Sequence, residues 1–287
     1  MTKVIPAFFI NMPELPEVET IARVLREGAK SAEDALAGRR IESAEVLWPR
    51  TLANLTPQTF TGQIQGQSFQ AVTRRGKFLV FPLSSDTLLI HLRMSGDMRV
   101  EGIQENPLLK HDRLVLNLDN GSRLAFNDTR KFGRAWLLAD PQEVLGGLGP
   151  EPFDPTLDAN VFMEMLQARS RQLKPLLMDQ SFLAGLGNIY TDEALHLAKL
   201  HPLRLSGSIS LPEAEKLLAA IRAVLAEGIR RNGASIDWVY RGGDFQNHFR
   251  VYGRTGQACP ECGAIIERLV VGQRGTHICP NCQPKPD

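Results

Sequence analysis

Cysteine is scarce in this chain of 287 residues: there are four, and all lie between Cys259 and Cys282. A disulfide scaffold spreads its cysteines along a short secreted chain, so that class is excluded and a reducing cytosol is the expected compartment. Long apolar runs are missing too. The apolar segment Val4 to Ile10 follows one Lys, lacks a small-residue cleavage site and is too short to cross a bilayer, so neither an export signal nor a membrane span is expected. Charge of one sign is not in excess either, with Lys and Arg at 33 against Asp and Glu at 32, a net +1. This rules out a uniformly basic coat but leaves nucleic acid open as a partner, because binding needs a basic face and not a basic total. From Arg230 onward the local excess is +3, counted from eight basic and five acidic residues.

The cysteines that are present form Cys259-Pro260-Glu261-Cys262 and Cys279-Pro280-Asn281-Cys282, with sixteen residues between the pairs. C-x2-C-x16-C-x2-C has the spacing of a tetrahedral zinc site, the alternative being two disulfides. Four thiolates leave no open coordination position, so one structural zinc is expected. Between the pairs, Ile265 to Val271 and Thr276 to Ile278 read as a hairpin tipped by Gly272-Gln273-Arg274-Gly275.

Upstream the pattern divides in two. Ile41 to Val46, Phe69 to Val72, Phe78 to Phe81, Leu88 to Leu92, Leu114 to Leu118 and Ala135 to Leu138 are short apolar or alternating runs bounded by turn residues, which predicts a β-sandwich or barrel. Asp119-Asn120-Gly121-Ser122 is a hairpin turn signal. Residues 140–156 carry four prolines and three glycines and read as a linker. Beyond it Val161, Met165 and Leu166, then Leu173, Leu176 and Leu177, then Glu193 to Leu200, mark helices. Pro212 to Arg230 is a long amphipathic helix capped by Ser210.

Three further stretches read two ways on residue chemistry alone. Met12-Pro13-Glu14-Leu15-Pro16-Glu17-Val18-Glu19 opens a helix over Glu17 to Arg26, with prolines and acids suited to its first turn and Val18, Ile21, Ala22 and Leu25 on one face. Arg74-Arg75-Gly76-Lys77 is a basic turn between strands. Phe182 to Tyr190 holds two glycines before a helix, which serve either a tight turn or close approach of a phosphate to backbone N–H groups.

Taken together, these stretches resemble the bacterial formamidopyrimidine-DNA glycosylases and their endonuclease VIII relatives, from Met12 to about Gln283. The resemblance implies an α+β multidomain protein: an N-terminal β-sandwich with flanking helices, and a helical helix-two-turn-helix domain with a zinc-ribbon hairpin. Its expected boundaries are an extension or misassigned start at 1–11, the catalytic sandwich at 12–139, the linker at 140–156, the helical domain at 157–248 and the zinc finger at 249–287. It also implies roles. Pro13, freed by removal of Met12, is the nucleophile, since an α-amine near pH 7.7 to 8 is substantially unprotonated at neutral pH. Glu14 protonates the sugar ring oxygen, Lys77 contacts the phosphate beside the lesion and assists elimination, and Arg274 grips the lesion phosphate. Met94, Arg130 and Phe132 fill the gap left by a flipped nucleotide. Lys174, Asn188 and His111 are expected to hold phosphates.

The implied activity is excision of 8-oxoguanine and formamidopyrimidines from damaged duplex DNA by a Schiff base on Pro13, followed by β/δ-elimination. The expected form is a monomer in the bacterial cytosol, with no membrane partner. An endonuclease VIII-like enzyme for oxidised pyrimidines is the alternative, and Arg241 to His248 stands where the purine enzymes close over the base. A non-catalytic zinc-finger binder of DNA damage is the alternative of another class, because Met1 to Asn11 precede Met12 and Pro13 as written is a tertiary amide.

Overall fold

The computed structural model describes residues 12–28, 35–104, 106–235 and 242–286. The segment Met1 to Asn11, and Arg241 at the start of the loop expected to close over the base, lie outside the described residues. Eight strands build the amino-terminal half: β1 (Ile41–Val46), β2 (Thr73–Arg75), β3 (Phe78–Pro82), β4 (Thr87–His91), β5 (Gly96–Gly102), β6 (Asp112–Leu118), β7 (Ser122–Asp128) and β8 (Arg134–Leu138). They pair as two four-stranded antiparallel sheets in the orders β1-β6-β7-β5 and β2-β3-β4-β8. Apolar side chains from both sheets, among them Phe81, Leu88, Ile90, Leu114, Leu116 and Phe126, meet in one core. The short helix α2 (Pro57–Ile64) adds Phe60 and Ile64 to it.

Helix α1 (Leu15–Glu27) is shared between this core and a second one. Its Val18, Ile21, Ala22 and Leu25 pack into the sandwich, whereas Leu15 belongs to the helical core. Helices α4 (Ala159–Gln167), α5 (Leu173–Leu177), α6 (Asn188–Ala198) and α7 (Leu211–Arg230) complete that second half, whereas the short α3 (Gln142–Leu145) packs Leu145 with Leu89 and Leu138 of the sandwich. Ser210 caps α7 through a box with Glu213, and Leu217, Leu218, Ile221 and Leu225 are its buried stripe. The zinc-ribbon hairpin is β9 (Glu267–Val271) and β10 (Arg274–Ile278). Its turn is Gly272-Gln273, with φ of 55° and 62°. Positive φ at both central residues is the two-residue turn whose twist matches that of the strands. Arg274 is therefore the first residue of β10, paired with Val271, rather than part of the turn.

Several elements differ from expectation. Phe69 to Val72 is not a strand: Phe69 sits in the core edge-on to Phe81, while its backbone bonds to Gly38 and Arg39. Strands β5 and β7 replace a loop and the far arm of a turn, because their alternation is masked by charged residues that pair within the sheet. Helix α6 begins at Asn188 instead of Glu193, since its first half is buried on every side, polar Thr191 and Asp192 along with apolar Ile189 and Tyr190, and so shows no one-sided apolar period.

Candidate active site

The site is assembled where α1 meets α6. Glu14, the residue before α1, is 2% exposed, and its carboxylate accepts from the backbone N–H of Gly187 at 2.6 Å and of Ile189 at 2.9 Å. Glu14 thus serves the orphan donors at the start of α6, a helix far from it in sequence. The glycines of the Gly-Leu-Gly stretch make this possible. A Cβ on Gly187 would stand 2.3 Å from Glu14 Cδ, and one on Gly185, whose φ is +105°, would stand 2.5 Å from Leu15 Cδ1. Leu15 N–H closes the contact on the Gly185 carbonyl at 3.0 Å.

Lys77 is 4% exposed and faces the same space. Burial pushes the Glu14 carboxyl up to about 7; Lys77 and the Ile189 and Gly187 N–H groups oppose the rise, and Glu17 adds to it. Burial likewise pulls the Lys77 ammonium down, against Glu14 and Glu17 and with Arg274. Glu17 is also buried and holds three elements together. Its carboxylate accepts from Glu14 N–H at 2.9 Å, Tyr190 Oη at 2.7 Å and Ala234 N–H at 2.7 Å. Its anchoring role escapes sequence reading, which sees only a helix-start acid.

A cavity of about 130 Å³ is lined by Met12, Glu14, Lys77, Asn188 and Arg274, among others. It adjoins a larger one of about 420 Å³ lined by Met12, Arg93, Met94, Phe132, Arg134 and Arg274. Pro13, between Met12 and Glu14 in the chain, is buried, and Met12 and Arg274 line both spaces. The chemistry available here is a proton donor near neutral pH, a poorly solvated amine and an arginine, all at one opening.

Met94 is partly buried, Arg130 is exposed and Phe132 is 52% exposed. Their two loops are tied by Asp128, whose carboxylate accepts from Ser95 Oγ, from Arg130 N–H at 3.1 Å and from Gly133 N–H at 2.7 Å. No pattern in the sequence singled out Asp128 or Ser95. His111 lies partly buried in the approach to β6, its Nδ1 3.1 Å from Arg113 Nη2.

Lys174 departs from its expected place. Its side chain has no exposure, and its ammonium donates to Asp192 Oδ1 at 2.6 Å and to the Gly275 carbonyl at 3.1 Å. A buried ammonium needs such a partner, and Asp192, one turn into α6, supplies it. Lys174 therefore meets the zinc hairpin here. Asn188 does the same through Nδ2 to Gly275 O at 3.1 Å, although it also reaches the smaller cavity. Both hold the residue next to Arg274.

The four cysteine sulfurs all lie within 4.8 Å of one another. Their recorded spacings are 3.4, 3.6 and 4.0 Å. Tetrahedral zinc with Zn–S bonds of about 2.3 Å requires about 3.8 Å between sulfurs, so the donor set fits one zinc ion. Glu193 links this module to α6, its carboxylate accepting from the N–H groups of Arg250, Val251 and Tyr252 at 2.8 to 2.9 Å.

Family models match in chain order: the formamidopyrimidine-DNA glycosylase N-terminal domain over residues 12–135, the formamidopyrimidine-DNA glycosylase H2TH domain over 148–239, and the zinc finger found in FPG and IleRS over 256–285. The formamidopyrimidine-DNA glycosylase of Protochlamydia amoebophila is 45% identical over 283 residues, covering 96% of this chain and all of its own. That of Herpetosiphon aurantiacus is 44% identical and covers 95% of this chain. Among solved structures, MutM in complex with DNA containing carbocyclic 8-oxo-G superposes with a TM-score of 0.86 at 37% identity, covering 95% of this chain and 100% of its own. The Lactococcus lactis enzyme bound to DNA with an abasic site gives 0.85 at 37% identity, with the same coverage.

Proposed function

This chain belongs to the formamidopyrimidine-DNA glycosylase family, and from that premise we propose that it excises oxidised purines from duplex DNA and then cleaves the abasic strand. The observation that carries the reading is that buried Glu14, next in sequence to Pro13, and buried Lys77 line one cavity with Arg274, and that an adjoining opening is edged by Met94, Phe132 and Arg274. A carboxyl held near neutrality is suited to donate a proton at pH 7.

The Pro13 nitrogen, as a free secondary amine, attacks C1′ of the damaged nucleotide. The bond from C1′ to the base breaks, and the sugar ring opens as Glu14 protonates its oxygen. The new C1′ ammonium gives up its proton to solvent, and collapse of the freed nitrogen lone pair onto C1′ as the ring C–O bond breaks leaves a cationic iminium. That cation acidifies C2′–H, so its removal expels the 3′ phosphate; a second elimination, with Arg274 on the phosphate, expels the 5′ phosphate. Lys77 stabilises the phosphate beside the lesion. The exposed wedge of Met94, Arg130 and Phe132 replaces part of the stacking forfeited when the nucleotide leaves the duplex, a deficit of a few kcal/mol.

Zinc acts away from this chemistry, by holding the hairpin that carries Arg274. No helix among the described residues is long and apolar enough to cross a membrane. The relatives are bacterial, and we place this protein in the bacterial cytosol as a monomer on one duplex. Competition between a duplex carrying 8-oxoguanine opposite cytosine and one carrying thymine glycol tests the reading. Faster release of 8-oxoguanine is expected, and faster release of the pyrimidine would overturn it in favour of endonuclease VIII-like specificity.

A further inference from the structure

Asn188, Asp192 and His196 are spaced by four residues along α6 and therefore share one face of it. All three touch the zinc module. Asn188 donates to Gly275 O, Asp192 accepts from His277 N–H at 2.8 Å, and His196 Nε2 lies 3.4 Å from Cys259 Sγ. The first two contacts reach β10. The third reaches a metal ligand.

We propose that His196 is an outer partner of the zinc site, donating Nε2–H to the Cys259 thiolate and so fastening the metal to the helix whose first turn binds Glu14. The proposal rests on zinc at the four cysteines. His196 and Cys259 are 2% and 3% exposed, so water does not compete for either. The tautomer follows from what surrounds the ring. His196 Nδ1 is buried with no hydrogen-bond partner. If Nδ1 carried the proton, an N–H would be orphaned in the interior while the Nε2 lone pair faced an anionic sulfur. With the proton on Nε2, the donor is satisfied and only a lone pair is left over, the cheaper of the two arrangements. Four thiolates around one zinc leave a net negative site, which an N–H donor stabilises while it sets the ligand's orientation. His196 is thus a positioning residue. It acts on Arg274 through the metal module and never approaches the reacting sugar.

Two measurements test this on the full-length protein. In protein loaded with cadmium-113 in place of zinc, the His196 Nε2 proton should show a resolved scalar coupling to the metal across the N–H···S bond. His196→Phe, which keeps a ring but removes the donor, should release zinc to a chelator at least about tenfold faster than wild type. His196→Gln, which retains an amide N–H of similar reach, should stay within about threefold of wild type, taking the usual outer-partner effect as the yardstick. Absence of the coupling, or an unchanged release rate in the phenylalanine variant, overturns the proposal. Should that variant fail to fold, the coupling in wild type decides alone. Wild type devoid of zinc would instead overturn the four-cysteine metal site itself.

Discussion

On one face of the sandwich Arg99 lies between Glu101 and Asp112, and Arg123 closes on Glu101; at the junction of α1 and α6, Glu14 and Glu17 lie beside Lys77. Both clusters bury carboxylates near cations, yet their acids move in opposite directions. Burial alone would raise Asp112, but hydrogen bonds from Arg99, Asn127 and Leu109 N–H outweigh it, and its carboxyl falls below the ordinary range. Glu101 falls in the same way, through Arg99 and Arg123. At the junction no guanidinium among the described residues forks onto Glu14, so burial prevails and the acid rises. Arginine pairing keeps the first cluster ionised and mechanical. A single desolvated lysine leaves the second poised between two protonation states.

Substitutions can break this contrast, and the largest effect is expected at Glu14. Glu14→Gln should lower kcat/KM for base excision by about 10² to 10⁴, the usual contribution of a positioned proton donor, while zinc content stays unchanged. Excision rates and metal analysis check it. Gly187→Ala comes next. Its new Cβ would collide with Glu14 Cδ, and displacing the acid by an ångström should cost about 10² in the same assay. Asp112→Asn should instead leave excision largely intact and destabilise the fold by about 1 to 3 kcal/mol, because it weakens a buried bidentate pair; a denaturant midpoint measures it.

Acidity sharpens the comparison further. Glu14 binds its proton up to about pH 7 in the folded chain but only to about its ordinary value of 4.5 when unfolded, so its contribution to stability is full below 4.5 and lost as pH rises through 7. Asp112 and Glu101 behave oppositely. Their contribution is present above their ordinary values of 3.8 and 4.5 and is lost as pH falls below them. In activity, kcat/KM should decline about tenfold per pH unit above about 7 for wild type, and that limb should vanish in Glu14→Gln.

How legible each part was follows from how local its cause is. Strand β1 was readable to the residue, and the capped α7 nearly so, because alternation and a capping box are properties of neighbouring residues. The zinc ligands were readable because thiolate spacing is itself the signal. Strands β5 and β7 were hidden by Arg99, Glu101 and Arg123, whose charges are neutralised across the sheet. The ion pair that Lys174 makes was not readable, because Asp192, which allows it to be buried, lies eighteen residues away. Glu17, Asp128 and His196 escaped for the same reason: each acts on a partner that only the fold brings near.

The central claim is that the Pro13 nitrogen, as a free amine beside Glu14 and Lys77, is the nucleophile. Borohydride reduction during reaction with 8-oxoguanine duplex tests it most directly. A form beginning at Pro13 should be trapped as a covalent protein–DNA adduct, and a form retaining Met1 to Met12, with Pro13 an amide, should not. Efficient trapping of the extended form would contradict the claim and point to another amine, with Lys77 the first to examine.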